Sequence, residues 1–147
     1  MESTDQITLK FILSSTDYSV PLGMRVCLDQ KIIYENTHVN SEQQLECQLL
    51  DAEADHELTF ELFGKKPEHT KINEAGEIVS DAMLSITNLE IDGIDVDQII
   101  QSLAVYHHDF NGTQSPVEDK FYRNLGCNGT LKLKFSTPVY LWLLENM

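Results

Sequence analysis

The sequence lacks the motifs that mark most catalytic sites. It contains no GxSxG nucleophile elbow, no HExxH zinc motif, no Walker loop and no GxGxxG turn. Its three cysteines include no CxxC pair, and strand alternation predicts that Cys27 and Cys47 point into the core. Paired carboxylates for glycoside cleavage stay open, because their spacing exists only in the fold. We therefore expect a protein that binds or builds something and is not an enzyme.

Positive charge is also scarce. Ten Lys and Arg residues stand against 24 Asp and Glu residues, which gives a formal net charge of −14. Such a chain repels nucleic-acid phosphates and anionic membranes, so neither is an expected partner. The polar, acidic opening residues and the absence of a long apolar run predict synthesis in a cytoplasm. Because the acidic residues are spread along the chain, we interpret the charge mainly as a solubility device.

What the sequence has in abundance is alternation of apolar and polar residues, the pattern of strands with one buried face. Asp29-Gln30 predicts a hairpin turn. A change of parity near Thr87-Asn88 predicts a β-bulge. The alternating stretches are residues 7–13, 24–28, 45–49, 58–62 and 131–135.

Turns and short helices complete the expected fold. Residues 64–76 and 106–128 are rich in turn residues and are predicted to be long connections. Asp95 is a predicted N-cap of one short helix, and Thr137-Pro138 predicts a terminal helix, with a strand as the alternative. These features predict a mainly β fold, an antiparallel, jelly-roll-like β-sandwich of two sheets with one or two short helices. We expect residues 1–147 to form this single domain.

The end of the sequence is apolar on every side. We interpret residues 137–147 as a C-terminal docking segment, because an apolar terminus must be covered. Its own sandwich could cover it, and so could another copy or another protein. The candidate partner-binding residues are Tyr140, Trp142, Leu143 and Leu144.

Aromatic residues of the second long connection are candidates for contact with a glycan. Tyr106, Phe110 and Tyr122 could lie against the apolar face of a sugar, or could anchor the connection to the core. Asp92 opens an acidic cluster that could attract calcium, although turn formation alone accounts for it.

Residues 81–93, an aspartate before a strand that ends in an Asp92-Gly93 turn, resemble the calcium-dependent xylan-binding modules and their relatives. The similarity covers roughly residues 7–96. It implies a jelly-roll sandwich that binds carbohydrate. It also implies that Asp81 corresponds to an acid with which that family's loop binds calcium.

Residues 124–130 and 138–145 look more like small β-sandwich accessory proteins of tailed-phage virions. The leading hypothesis is therefore a non-enzymatic virion component, a head decoration or tail protein, that contacts virion proteins or copies of itself. The alternative is a carbohydrate-binding module, in which Asp81 and Asp92 hold calcium and Tyr106, Phe110 or Tyr122 contacts the glycan. No other cofactor is expected.

Overall fold

The computed structural model describes residues 6–50, 55–108, 115–121 and 124–146. Within them lie thirteen strands, two α-helices and a 3-10 turn at Pro67–His69. The strands are β1 (Gln6–Ser15), β2 (Gly23–Leu28), β3 (Lys31–Asn36), β4 (Gln43–Leu50), β5 (Asp55–Phe63), β6 (Thr70–Ile72), β7 (Ile78–Asp81), β8 (Leu84–Ile91), β9 (Ile94–Asp95), β10 (Val105–His108), β11 (Val117–Lys120), β12 (Asn124–Leu125) and β13 (Gly129–Ser136). The helices are α1 (Asp97–Leu103) and α2 (Val139–Glu145).

The strands form two antiparallel sheets. The first sheet has the order β12-β8-β1-β4, with β9 paired to β8, and the second has the order β11-β10-β13-β5-β2-β3. β6 and β7 form a separate two-stranded hairpin. The prediction of a mainly β, antiparallel two-sheet sandwich with short helices is confirmed.

The core lies between the sheets and is built by the alternation seen in the sequence. Every second side chain of β1 is buried, and the same holds for β5. Phe11 of the first sheet meets Phe60 of the second edge to face, with ring centroids 5.3 Å apart, an arrangement that aromatic pairs favour. The predicted inward residues of the two strands are buried: Ile7, Leu9, Phe11, Leu13, Leu58, Phe60 and Leu62.

The hairpin turn and the β-bulge predicted from the sequence are both present. Asp29 and Gln30 have φ angles of 53° and 72°, as expected in a two-residue hairpin turn between β2 and β3. Asn88 has a φ angle of 54°, and the pairing of β1 with β8 shifts register between Lys10 and Ile12. This bulge moves the buried face of β8 from one parity to the other.

The two predicted long connections contain more regular structure than expected. The first includes the β6–β7 hairpin, in which Ile72, Ile78 and Val79 are 62%, 65% and 63% exposed. Because these side chains bury little, they give no alternation against a core. The second contains β10, β11 and β12, although residues 109–114 and 122–123 lie outside the described part of the chain.

The cysteines differ in orientation. Cys27 lies on the outer face of β2 together with Arg25, so the prediction that it points into the core is wrong. Cys47 lies on the inward side of β4 and is half-buried. Burial raises the pKa of the Cys47 thiol.

Both helices are short. The N-cap of α1 is Val96, one residue after the predicted Asp95, and the Asp95 carboxylate accepts a hydrogen bond from the Asp97 N–H at 2.8 Å. The terminal segment forms the helix α2 rather than a strand. At seven residues each, neither helix can cross a bilayer, and the described residues contain no longer helix.

Candidate functional site

A cleft of about 520 Å³, here called the end cleft, lies where β5 begins and β13 ends. The antiparallel register of these strands places Ser136 opposite Asp55 and Lys134 opposite Glu57. The β2–β3 turn and α2 close its other sides. The lining residues are Asp29, Asp55, His56, Glu57, Lys134, Phe135, Ser136 and Trp142.

The floor of the end cleft is aromatic. The His56 ring stacks on Phe135 with centroids 5.3 Å apart and an interplanar angle of 28°. Trp142 of α2 meets Phe135 edge to face at 6.1 Å. The three rings are buried, with at most 6% of each residue exposed. Because the rings are packed against one another, the floor is formed before any ligand arrives.

Asp29 holds the His56 ring in place. Its Oδ2 lies 2.6 Å from His56 Nδ1, and its Oδ1 accepts the Glu57 N–H at 2.8 Å. Since a carboxylate at neutral pH only accepts, the hydrogen of this pair is assigned to Nδ1. The hairpin turn therefore positions the carboxylate that orients the imidazole.

The rim of the end cleft is polar and mainly acidic. Of the described residues that line it, Asp29, Asp55 and Glu57 supply three carboxylates and Lys134 supplies an ammonium group. Carboxylate oxygens accept hydrogen bonds from hydroxyl groups, and their charge repels anions. The rim therefore suits a ligand that is rich in hydroxyl groups and not negatively charged.

A second groove, of about 480 Å³, continues from the end cleft onto the outer face of the second sheet. Glu57, Lys134 and Trp142 line both spaces. Farther along, the groove passes Lys132 and His107. The two spaces together can receive a ligand longer than the end cleft alone.

The predicted partner-binding residues of α2 point in different directions. Trp142 is 6% exposed and packs edge to face on Phe135 of its own domain, so it cannot insert into another protein, which corrects that part of the prediction. Leu143 is half-buried against the core. Tyr140 and Leu144 are 57% and 67% exposed. A seven-residue helix must turn one face to its domain, and Trp142 lies on that face.

Tyr106 is an anchor and not a glycan platform. Its ring is buried, and its hydroxyl donates to the Cys127 carbonyl and accepts from the Cys127 N–H. Burial raises the pKa of this hydroxyl above its usual range. Phe110 and Tyr122, the other two candidates, lie outside the described residues.

Asp81 and Asp92 cannot share a calcium ion, because they lie beyond opposite ends of β8. At about 3.3 Å per residue, that eight-residue strand separates them by more than about 20 Å. Asp92 Oδ1 accepts the Thr8 N–H at 2.9 Å. The Asp92 carboxylate therefore stabilises the turn after β8, and Asp81 would have to bind calcium without it.

The surroundings of Asp81 do not fit calcium either. The Lys65 ammonium lies 2.5 Å from Asp81 Oδ1 and also donates to the Gly126 carbonyl. A metal ion at the same oxygen would be repelled by this positive charge. Among the described residues, no group of three or more His, Cys, Asp or Glu side chains is arranged to hold a metal.

No family model and no curated protein matches this chain. One solved structure that it resembles is "vCBM60 in complex with galactobiose", with a TM-score of 0.51 and 10% identity, over 88% of this chain and 97% of that chain. The chain folds like a carbohydrate-binding module. At this identity the likeness concerns the fold alone. It supports the expected carbohydrate-binding-module fold, whereas none of the comparisons supports a relation to phage accessory proteins.

Sequence reasoning does not identify the end cleft. The only signal is a histidine, His56, at an inward position of an alternating strand, where an imidazole needs a hydrogen-bond partner. That partner is Asp29, 27 residues earlier in the chain. The pairing could not be read from spacing alone.

Proposed function

We propose that this chain is a carbohydrate-binding module that acts without catalysis and binds its glycan in the end cleft. The observation that carries this proposal is an aromatic floor and a rim of hydrogen-bond acceptors within one cleft. The hydroxyl groups of a sugar ring match the acceptors of the rim, and its C–H groups can contact the small accessible part of the aromatic floor. The fold similarity to a carbohydrate-binding module supports the same class of ligand.

The charge of the rim selects among glycans. Asp29, Asp55 and Glu57 outnumber Lys134, and the chain as a whole carries a formal charge of −14. A sulfated or uronic-acid glycan would meet repulsion both at a distance and in the cleft. The proposed ligand is therefore a neutral oligosaccharide that extends from the end cleft into the adjoining groove.

The direct test is calorimetric titration of the protein with matched neutral and anionic oligosaccharides. The panel should include xylan, galactan and glucan fragments and sulfated or uronic-acid counterparts of the same length. Binding heat is expected with a neutral member and not with its anionic counterpart. A panel without any binding would reject the function.

A bulky residue at the rim tests the site itself. Ser136→Trp would fill the cleft from the half-buried end of β13 and is expected to weaken glycan binding at least about tenfold, a change of about 1.4 kcal/mol. Ser41→Trp places the same side chain at an exposed serine just before β4 and is the matched control. Circular dichroism verifies the fold of both variants. Unchanged affinity in Ser136→Trp would place the glycan elsewhere on the domain.

A second candidate role is assembly through α2. Tyr140, Leu141 and Leu144 are 57%, 47% and 67% exposed on this helix, and exposed apolar side chains of this kind favour protein contacts. Attachment to a virion stays a prediction that no comparison supports. Native mass measurement tests self-assembly: wild-type oligomers that dissociate in Leu144→Asp would support it, and a wild-type monomer would reject it.

A further inference from the structure

Lys65 is a buried lysine, and its ammonium contacts two oxygen atoms from other segments of the chain. The side chain is 0% exposed. Its Nζ lies 2.5 Å from Asp81 Oδ1 and donates to the Gly126 carbonyl. The Thr70 hydroxyl donates to the same Asp81 oxygen at 2.7 Å. One carboxylate and one carbonyl thus converge on a single positive charge supplied by the chain.

This ammonium joins segments that belong to different parts of the fold. Lys65 follows the end of β5 in the second sheet, and Asp81 is the last residue of β7 in the hairpin. Gly126 lies between β12 of the first sheet and β13 of the second. Without a cation, the Asp81 carboxylate and the Gly126 carbonyl would lose the charge that draws them together.

The backbone of Lys65 is fixed as well. Its N–H donates to Asn128 Oδ1, and its carbonyl accepts from Asn128 Nδ2, both at 2.8 Å. Asn128 belongs to the same connection between β12 and β13 as Gly126. The ammonium is therefore held in position from both ends of the side chain.

We propose that the Lys65 ammonium is the built-in cation of this end of the sandwich, in the role that a bound metal ion would otherwise have. Oxygen atoms from separate segments are held together by a charge that no chelator can remove. The chain should accordingly fold, and bind its ligand, without calcium. This inference does not depend on the glycan site, which lies at the opposite end of β5.

The first arm of the test is thermal unfolding of the wild-type protein with excess EDTA and with millimolar calcium at matched ionic strength. We expect the same Tm in both conditions. A Tm that falls on chelation would overturn the proposal, because it would reveal a structural metal ion. This arm needs no variant and therefore always gives an answer.

The second arm separates the Lys65–Asp81 pair. Lys65→Met keeps most of the side-chain volume and leaves the Asp81 carboxylate without its cation, so a Tm lower by about 6 °C or more is expected. Lys66→Met, at the exposed neighbouring lysine, is the matched control and should change Tm little. In the double variant with Asp81→Asn, the loss should be smaller than the sum of the single losses. Additive losses would overturn the proposal.

The third arm asks whether the vacated position accepts another cation. Lys65→Ala removes the ammonium and leaves the Asp81 carboxylate, the Gly126 carbonyl and the Thr70 hydroxyl, which are oxygen ligands of the kind calcium prefers. Calcium should raise the Tm of Lys65→Ala and should not change the Tm of the control variant Lys66→Ala. If calcium does not change the Tm of Lys65→Ala, Lys65 and Asp81 form an ordinary ion pair and the proposal is wrong. If this variant does not fold, the first arm and Asp81→Asn decide.

Discussion

Two buried polar side chains, those of Tyr106 and Lys65, reach the connection between β12 and β13. Tyr106 bonds to the backbone of Cys127, and Lys65 bonds to the Gly126 carbonyl. This connection lies between strands, so side chains from elsewhere must satisfy part of its backbone. Loss of either side chain removes a hydrogen-bond partner from this partly buried backbone, which costs more than the bond itself contributes.

Tyr106→Phe tests this role through the pH dependence of stability. At pH 7 the variant should lose about 1–2 kcal/mol of unfolding free energy, because the Cys127 N–H loses its acceptor. Burial raises the pKa of Tyr106 in the folded chain, whereas the unfolded chain has the ordinary value of about 10. Above pH 10 the unfolded wild type therefore releases a proton that the folded protein retains, and its stability falls.

The phenylalanine variant lacks this titration, so the stability gap between the two proteins should narrow as the pH rises from 7 to about 11. Urea unfolding at several pH values measures the gap. A gap that stays constant over this range would contradict the assignment of a buried, hydrogen-bonded hydroxyl at Tyr106.

At the residue scale, two adjacent lysines show why the burial of a polar side chain could not be predicted from the sequence. Lys65 is buried and Lys66 is exposed. The difference depends on Asp81, 16 residues away, and on Gly126, 61 residues away. The same limitation concealed the pairing of His56 with Asp29. A polar residue becomes buried only where distant partners satisfy it, and spacing along the chain does not encode those partners.

At the scale of secondary-structure elements, prediction succeeded where a face is buried. β1 and β5 were predicted from alternation because one side of each packs in the core. The Asp29-Gln30 turn and the bulge at Asn88 were predicted from local chemistry. The β6–β7 hairpin was missed because its apolar residues are exposed and mark no inner face. The helix α2 was anticipated, but its buried face was not.

Two substitutions in α2 distinguish its faces. Trp142→Ala removes a buried ring that packs against Phe135 and should cost about 3–5 kcal/mol of unfolding free energy. Leu144→Ala, two residues along the same helix, alters an exposed side chain and should stay within about 0.5 kcal/mol. Chemical denaturation measures both. Equal losses would show that α2 does not dock through Trp142.

At the scale of the whole molecule, Asp and Glu residues outnumber Lys and Arg residues by 24 to 10, so at least fourteen carboxylates have no Lys or Arg of their own. One of the basic residues is shared between two carboxylates. Arg25 lies between Glu35 and Glu61, with each carboxylate oxygen 2.5 Å from a guanidinium nitrogen. Surface pairs of this kind contribute little to stability. Repulsion among carboxylates should therefore be the main long-range electrostatic effect in the folded protein.

Monovalent salt should consequently stabilise the protein. Raising sodium chloride from about 20 to about 300 mM shortens the screening length from roughly 20 Å to roughly 6 Å, which weakens repulsion between surface charges but hardly affects the buried Lys65–Asp81 pair. We expect Tm to rise by a few degrees, and to rise equally with potassium chloride, since screening depends on ionic strength alone. Scanning calorimetry across both salts measures the effect. A Tm that falls with salt would mean that attractive pairs outweigh the repulsion among carboxylates.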